Sequence, residues 1–223
     1  MMDEATITMM LENSRFFAKA LIFEMALGVA AILLGKWLGQ QPLATLQPGR
    51  ATLASVILAV LWGVAGALPL VAALFLLDRF PVGPFRTLKE LTDRYVIPLF
   101  AEQQLWQLAL LSAAAGFGEE TLFRGLIQAG LAHWLAIPGG ELIACVVAAV
   151  LFGLCHWLTT SYAILATLMG LYFGWLFLIT DSLLVPIVTH ALYDFVALAY
   201  FVKQHRSLIS RSERQIDHAS LSG

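Results

Sequence analysis

Residues 51–77 read ATLASVILAVLWGVAGALPLVAALFLL, without one charged side chain. An α-helix needs about 20 apolar residues to cross the roughly 30 Å hydrocarbon core of a bilayer. This stretch is long enough to cross with tilt. The same texture recurs on both sides of it. Phe16–Leu38 is apolar, with Lys19 and Lys36 near its ends, where they can snorkel to the headgroups, and Glu24 inside it. Farther on lie Tyr95–Phe117 (interrupted by Glu102), Gly118–Ile137, Leu142–Leu158, Tyr162–Thr180 and Leu183–Val202.

Composition agrees with that texture. Of 223 residues, 60% are hydrophobic and 13% charged, and the mean hydropathy is +0.81. Soluble domains are about 45–50% apolar and about 25% charged. In lipid every backbone polar group needs an internal partner, so helices are the expected spanning elements. The short alternating segments of a β-barrel are absent. The expected fold is therefore all-α, a polytopic transmembrane helix bundle of about 6–8 membrane helices. The expected localisation is an integral, multi-pass protein, with the short loops suggesting a bacterial cytoplasmic membrane. A net charge of −2 without a basic, aromatic-laced patch argues against nucleic acid as a partner. Cys145 and Cys155 share one apolar stretch; on a helix they stand about 15 Å apart, too far for a disulfide. The first fifteen residues carry Asp3, Glu4, Glu12 and Arg15 and show no cleavage site, so a retained anchor is expected rather than a signal peptide.

Three regions follow: leading membrane helices and a connector over 1–94, a membrane core over 95–202, and a polar tail over 203–223. The connector DRFPVGPFRTLKELTDR, 78–94, leaves room for a short surface helix near Phe85–Arg94. Pro138-Gly139-Gly140 marks a turn. Gly170 and Gly174 form a GxxxG spacing, read as close helix packing within the bundle. Arg79, Arg86, Lys89 and Arg94 in the connector, and Lys203, Arg206, Arg211 and Arg214 in the tail, place both on the cytoplasmic side. That requires an even number of crossings between them, whereas five apolar stretches are visible. Gly118–Ile137 is the stretch expected not to cross fully.

Inside this chain residues 116–125 read GFGEETLFRG. Ionisable groups within a membrane bundle are functional candidates by default. Three clusters stand out: Glu119-Glu120 with Arg124, Phe152 with His156, and His190 with Asp194. Glu120 and Arg124, four apart, share a helix face and can pair. Glu119, turned about 100° away, is free to face a cavity. A helix starting near Gly118 would put both carboxylates in its first turn. A carboxylate so placed is a candidate general base for water. His190 and Asp194 also share a face, so Asp194 could orient the imidazole or join it on a metal. Glu119, His156, His190 and Asp194 together could hold Zn²⁺ or activate water without metal. HExxH and GxSxG signatures, and a GxGD-like aspartate pair, are absent.

EETLFR, FGLCH and HALYD resemble the three motifs of the CAAX-processing protease and bacteriocin-processing (CPBP, or Abi) family, multi-pass intramembrane endopeptidases. The resemblance covers about residues 95–202. It implies that Glu119 activates water, beside Glu120, that Arg124 holds the motif, and that His156 and His190 flank the water. Asp194 falls where many members carry Asn. An ionised Asp cannot donate to an oxyanion, which favours a metal ligand or an orienter of His190. The resemblance leaves both a metalloprotease and a metal-independent glutamate protease open. The expected partners are the bilayer and a membrane-associated protein or peptide substrate. A non-catalytic peptide-binding immunity or scaffold protein of the same fold, and an ion- or proton-coupled transporter, are the alternatives. His156 ends its segment whereas His190 begins one, so straight helices would leave them on the order of 10–15 Å apart in depth.

Overall fold

The computed structural model describes residues 4–46 and 52–221. Asp3, Ala51 and the last two residues of the tail lie outside the described residues. Two long helices lead: α1, Glu4–Trp37, and α2, Leu53–Arg79. The Thr52 hydroxyl opens α2 by accepting the Ser55 amide. The connector forms α3, Pro84–Leu91, then a π-helical turn, Thr92–Val96, and the short α4, Ile97–Phe100. Pro84 stands at the start of α3, where its missing N–H leaves nothing unpaired.

The next stretch is one rod rather than two segments. It comprises α5, Leu105–Glu120, a π-helical section, Thr121–Gln128, and α6, Ala129–Leu135. Gly116 and Gly118 do not start a helix there; they are contact points. A Cβ on Gly116 would stand 2.8 Å from the Ile187 carbonyl, and one on Gly118 would stand 2.1 Å from the Glu24 carbonyl. Small residues at such crossings bring helix backbones together in lipid. Glu119 and Glu120 thus close a sixteen-residue helix, which corrects the expected placement in a first turn.

Left-handed Ala136 ends the rod, and Pro138–Gly140 turns the chain. Then come α7, Gly140–Cys155, α8, Thr160–Thr180, and α9, Leu184–Leu221. The polar tail continues α9 as far as Leu221. Among the described residues, four stretches are long and apolar enough to cross a membrane by length and composition: Ser14–Trp37, Leu53–Arg79, Thr160–Thr180 and Leu184–Arg211. At 16 residues, α7 is shorter, about 24 Å. Because 105–135 is one rod, four helical segments rather than five separate connector from tail (the rod, α7, α8 and α9), and of these only α8 and α9 are among the stretches long and apolar enough to cross. Connector and tail meet: the Gln204 amide donates to Asp78 Oδ2 at 3.3 Å, beside the Tyr200 hydroxyl.

The polarity of the bundle is inverted relative to a soluble protein. Trp37, Leu53, Leu142 and Leu158 are exposed, whereas Arg124, Glu120, Thr121 and Gln128 are buried. The GxxxG pair packs inward as expected, Gly170 on Ala149 and Gly174 on Cys145 and Gln128. Both cysteines are free, Cys145 buried and Cys155 exposed. α5 sits between α1 and α9, α2 lies along α9, and α7 pairs with α8. This arrangement leaves an inner space bordered by α5 and α9, with α8 across from them.

Candidate active site

Arg124 is the largest fully buried side chain. The π-helical section carries it inward, where Nη1 donates to Glu120 Oε1 at 3.1 Å and Nη2 to the Gly170 carbonyl at 2.6 Å. That carbonyl is within reach because Gly170 lets α8 approach α7 closely. Three rings enclose the guanidinium, Phe152, Phe173 and Phe123, at 5.0, 5.5 and 5.9 Å from their centroids. Ring faces favour a cation, and more so when it is desolvated. The expected Glu120–Arg124 pair is present and fully buried.

Glu120 Oε1 also meets His190 Nδ1, at 2.8 Å. The His190 ring stacks on Phe173 at 4.9 Å between centroids, and its Nε2 lies 3.4 Å from Asp194 Oδ2. Both ring nitrogens of His190 are thus directed at carboxylates. His156 is fixed differently. Its Nδ1 lies 2.8 Å from the Phe152 carbonyl, and a carbonyl only accepts, so Nδ1 carries a proton. In the neutral ring Nε2 is then an acceptor, 3.7 Å from Glu119 Oε2. The separation in depth is bridged by side chains. His156 stacks back along its own helix onto Phe152 at 4.4 Å, and each histidine reaches one member of the glutamate pair.

Glu119 points away from Glu120, as their 100° offset requires. It is 9% exposed, and its Oε2 has no hydrogen-bond donor among the described residues. It faces a cavity of about 840 Å³. Glu119, Asp194, Asp78 and Lys89 line it together with apolar residues such as Leu70 and Met169. The connector helps to enclose this space. Phe85 and Leu88 of α3 line it, while Arg86 and Glu90 pair on the exposed side. Lys89 clasps Asp78, which also accepts from Tyr200 and Gln204.

The zinc expectation fits this geometry poorly. Among the described residues no three His, Cys, Asp or Glu side chains are grouped to hold a metal ion. Glu119 and His156 face each other, but His190 is turned to Glu120 and Asp194. A tetrahedral site needs three such donors on one point.

Sequence reading missed Phe173 and the Gly170 carbonyl, both from α8, and the place of Glu24 on the cavity wall. The signal for the first two was the GxxxG spacing itself, since it brings α8 against the motif helix. Glu102, by contrast, is exposed in the turn before α5.

Fold and site together define an all-α integral membrane protein whose ionisable groups are gathered inside the bundle around a cavity. The family model described as Rce1-like, type II CAAX prenyl endopeptidase Rce1-like, matches residues 101–196. That interval contains all three motifs, and over it the chain is similar to that family. No curated protein and no solved structure matches the chain.

Proposed function

We propose that the protein is an intramembrane endopeptidase that hydrolyses a peptide bond of a membrane-associated protein or peptide, with Glu119 as the general base. The observation that carries this reading is the pair Glu119 Oε2 and His156 Nε2, two acceptors 3.7 Å apart, with Glu119 on the cavity wall. At that distance they do not bond to each other. A water donating one hydrogen to each satisfies both. Glu119 then takes one water proton as the water oxygen bonds to the substrate carbonyl carbon. The carbonyl π electrons move to its oxygen, and the His190 Nε2–H, with Nδ1 held by Glu120 and Asp194 Oδ2 no closer than 3.4 Å, is shared between Asp194 and that oxyanion. Collapse breaks the C–N bond, and the leaving amine takes the proton back from Glu119.

Glu120 and Arg124 position rather than react, because they touch each other, His190 and Gly170. Asp194 orients His190. No step is routed through a metal. The similarity of residues 101–196 to CAAX prenyl endopeptidases makes a prenylated CAAX C-terminus the first substrate to try, and the short loops are in keeping with a bacterial cytoplasmic membrane.

The test compares cells producing wild type and Glu119→Gln at equal level, with peptide termini mapped by mass spectrometry. Termini that disappear in the variant are expected, with purified activity reduced by roughly 10²-fold or more. Identical termini from a stably inserted variant would sink the reading.

A further inference from the structure

Glu24 lies on α1, outside the matched interval 101–196. Its placement is fixed through the backbone, since its carbonyl occupies the space a Cβ on Gly118 would need. α1 and α5 therefore touch one residue away from Glu119. The Glu24 side chain turns into the cavity, and its buried Oε2 has no donor among the described residues. A carboxylate in such surroundings is costly unless something pairs with it.

The charges around the cavity are one-sided. Arg124 is matched by Glu120, and His190 lies between Glu120 and Asp194. Among the described residues lining the cavity, Lys89 alone carries a fixed positive charge, and Asp78 holds it. Glu24, Glu119 and Asp194 thus border the space with no lysine or arginine of their own. A separate feature points the same way. Ser112, on α5 and lining the same cavity, is 1% exposed, and its Oγ has no hydrogen-bond partner among the described residues. Unpartnered acceptors on a buried wall suit a ligand rich in N–H donors. A lysine ammonium offers three and an arginine guanidinium five.

We propose that Glu24, with Asp194, forms an anionic subsite that takes a cationic group of the substrate next to the bond attacked by Glu119. That group is a Lys or Arg side chain or a free amine. The inference rests on the endopeptidase reading and specifies its substrate class. Glu24 is a specificity-determining residue supplied by a helix outside the matched core.

The experiment uses the full chain in proteoliposomes and internally quenched peptides differing by Lys, Met or Glu at each position near the scissile bond. At one position wild type is expected to cleave the Lys peptide with kcat/KM about tenfold or more above the Met peptide, the scale of a charge-assisted hydrogen bond. Glu24→Gln brings that ratio to within about twofold, Glu24→Asp retains most of it, and Glu24→Lys turns preference toward the Glu peptide. A purely structural role would lower cleavage of both peptides and keep the ratio. No preference in wild type, or an unchanged ratio in Glu24→Gln, overturns the proposal. Binding of the same peptides to Glu119→Gln protein, read by fluorescence anisotropy, separates the two claims. If nothing is cleaved, yet the Lys peptide binds tighter in a Glu24-dependent way, the subsite stands and the endopeptidase reading falls. No cleavage with equal binding removes both.

Discussion

Removing the Arg124 guanidinium would leave the Gly170 carbonyl without its donor and Glu120 with only His190, inside a closed wall of Phe123, Phe152 and Phe173. Arg124→Ala is therefore expected to destabilise the fold by about 3–5 kcal/mol, the cost of stranding one member of a buried pair. Thermal unfolding in detergent measures it. Arg124→Lys should recover only part of that loss, because an ammonium lacks the planar fork that serves Glu120 and Gly170 together. Treatment with a chelator is expected to leave peptide cleavage within about twofold, since His190 is turned to Glu120 and Asp194 instead of joining Glu119 and His156. Loss of cleavage restored by Zn²⁺ would reverse that reading. At this scale the sequence was informative wherever chemistry follows chain spacing. Glu120 and Arg124 are four apart and pair, and Glu119 turns away as helix geometry requires. Glu24 stood in the sequence only as a charge inside the first apolar stretch, because its neighbours come from another helix, and one sequence does not display contacts through space.

The elements meet through glycine. Gly118 admits the α1 backbone and Gly116 the α9 backbone, so the residues before the glutamates set how three helices cross. Read from sequence alone, that pair of glycines looked like the place where a helix begins. In water glycine weakens a helix, whereas in lipid it is frequent at helix contacts. The rod 105–135 was split for that reason, and the π-helical section Thr121–Gln128 left no mark in the residue pattern. Gly118→Ala is expected to destabilise by about 1–3 kcal/mol, because backbone rather than a flexible side-chain end must yield. Gly28→Ala, whose added carbon meets the Phe117 ring at 3.0 Å, should be milder. Unfolding midpoints of the two variants test the order.

For the whole molecule, four helical segments lie between connector and tail, an even number, and the expectation is that both lie on one side of the membrane. In a Cys155→Ser background, Arg86→Cys and Lys203→Cys should react with a membrane-impermeant maleimide from one side, and Gly139→Cys, in the turn after the rod, from the other. Labelling of all three from the same side would refute that topology. Hydropathy made the all-α membrane class readable at once, because lipid-facing surface such as Trp37 and Leu53 has no counterpart in a soluble bundle. The count of passes was not readable, because it depended on what two glycines do. One consequence concerns modularity. The contact between Gly118 and the Glu24 carbonyl makes α1 part of the cavity wall and not merely an anchor. Transplanting the leading helix between relatives would then exchange appetite for substrate while leaving the chemistry untouched. Diversity in such a lineage could accumulate at its front end, with the motif helices standing still.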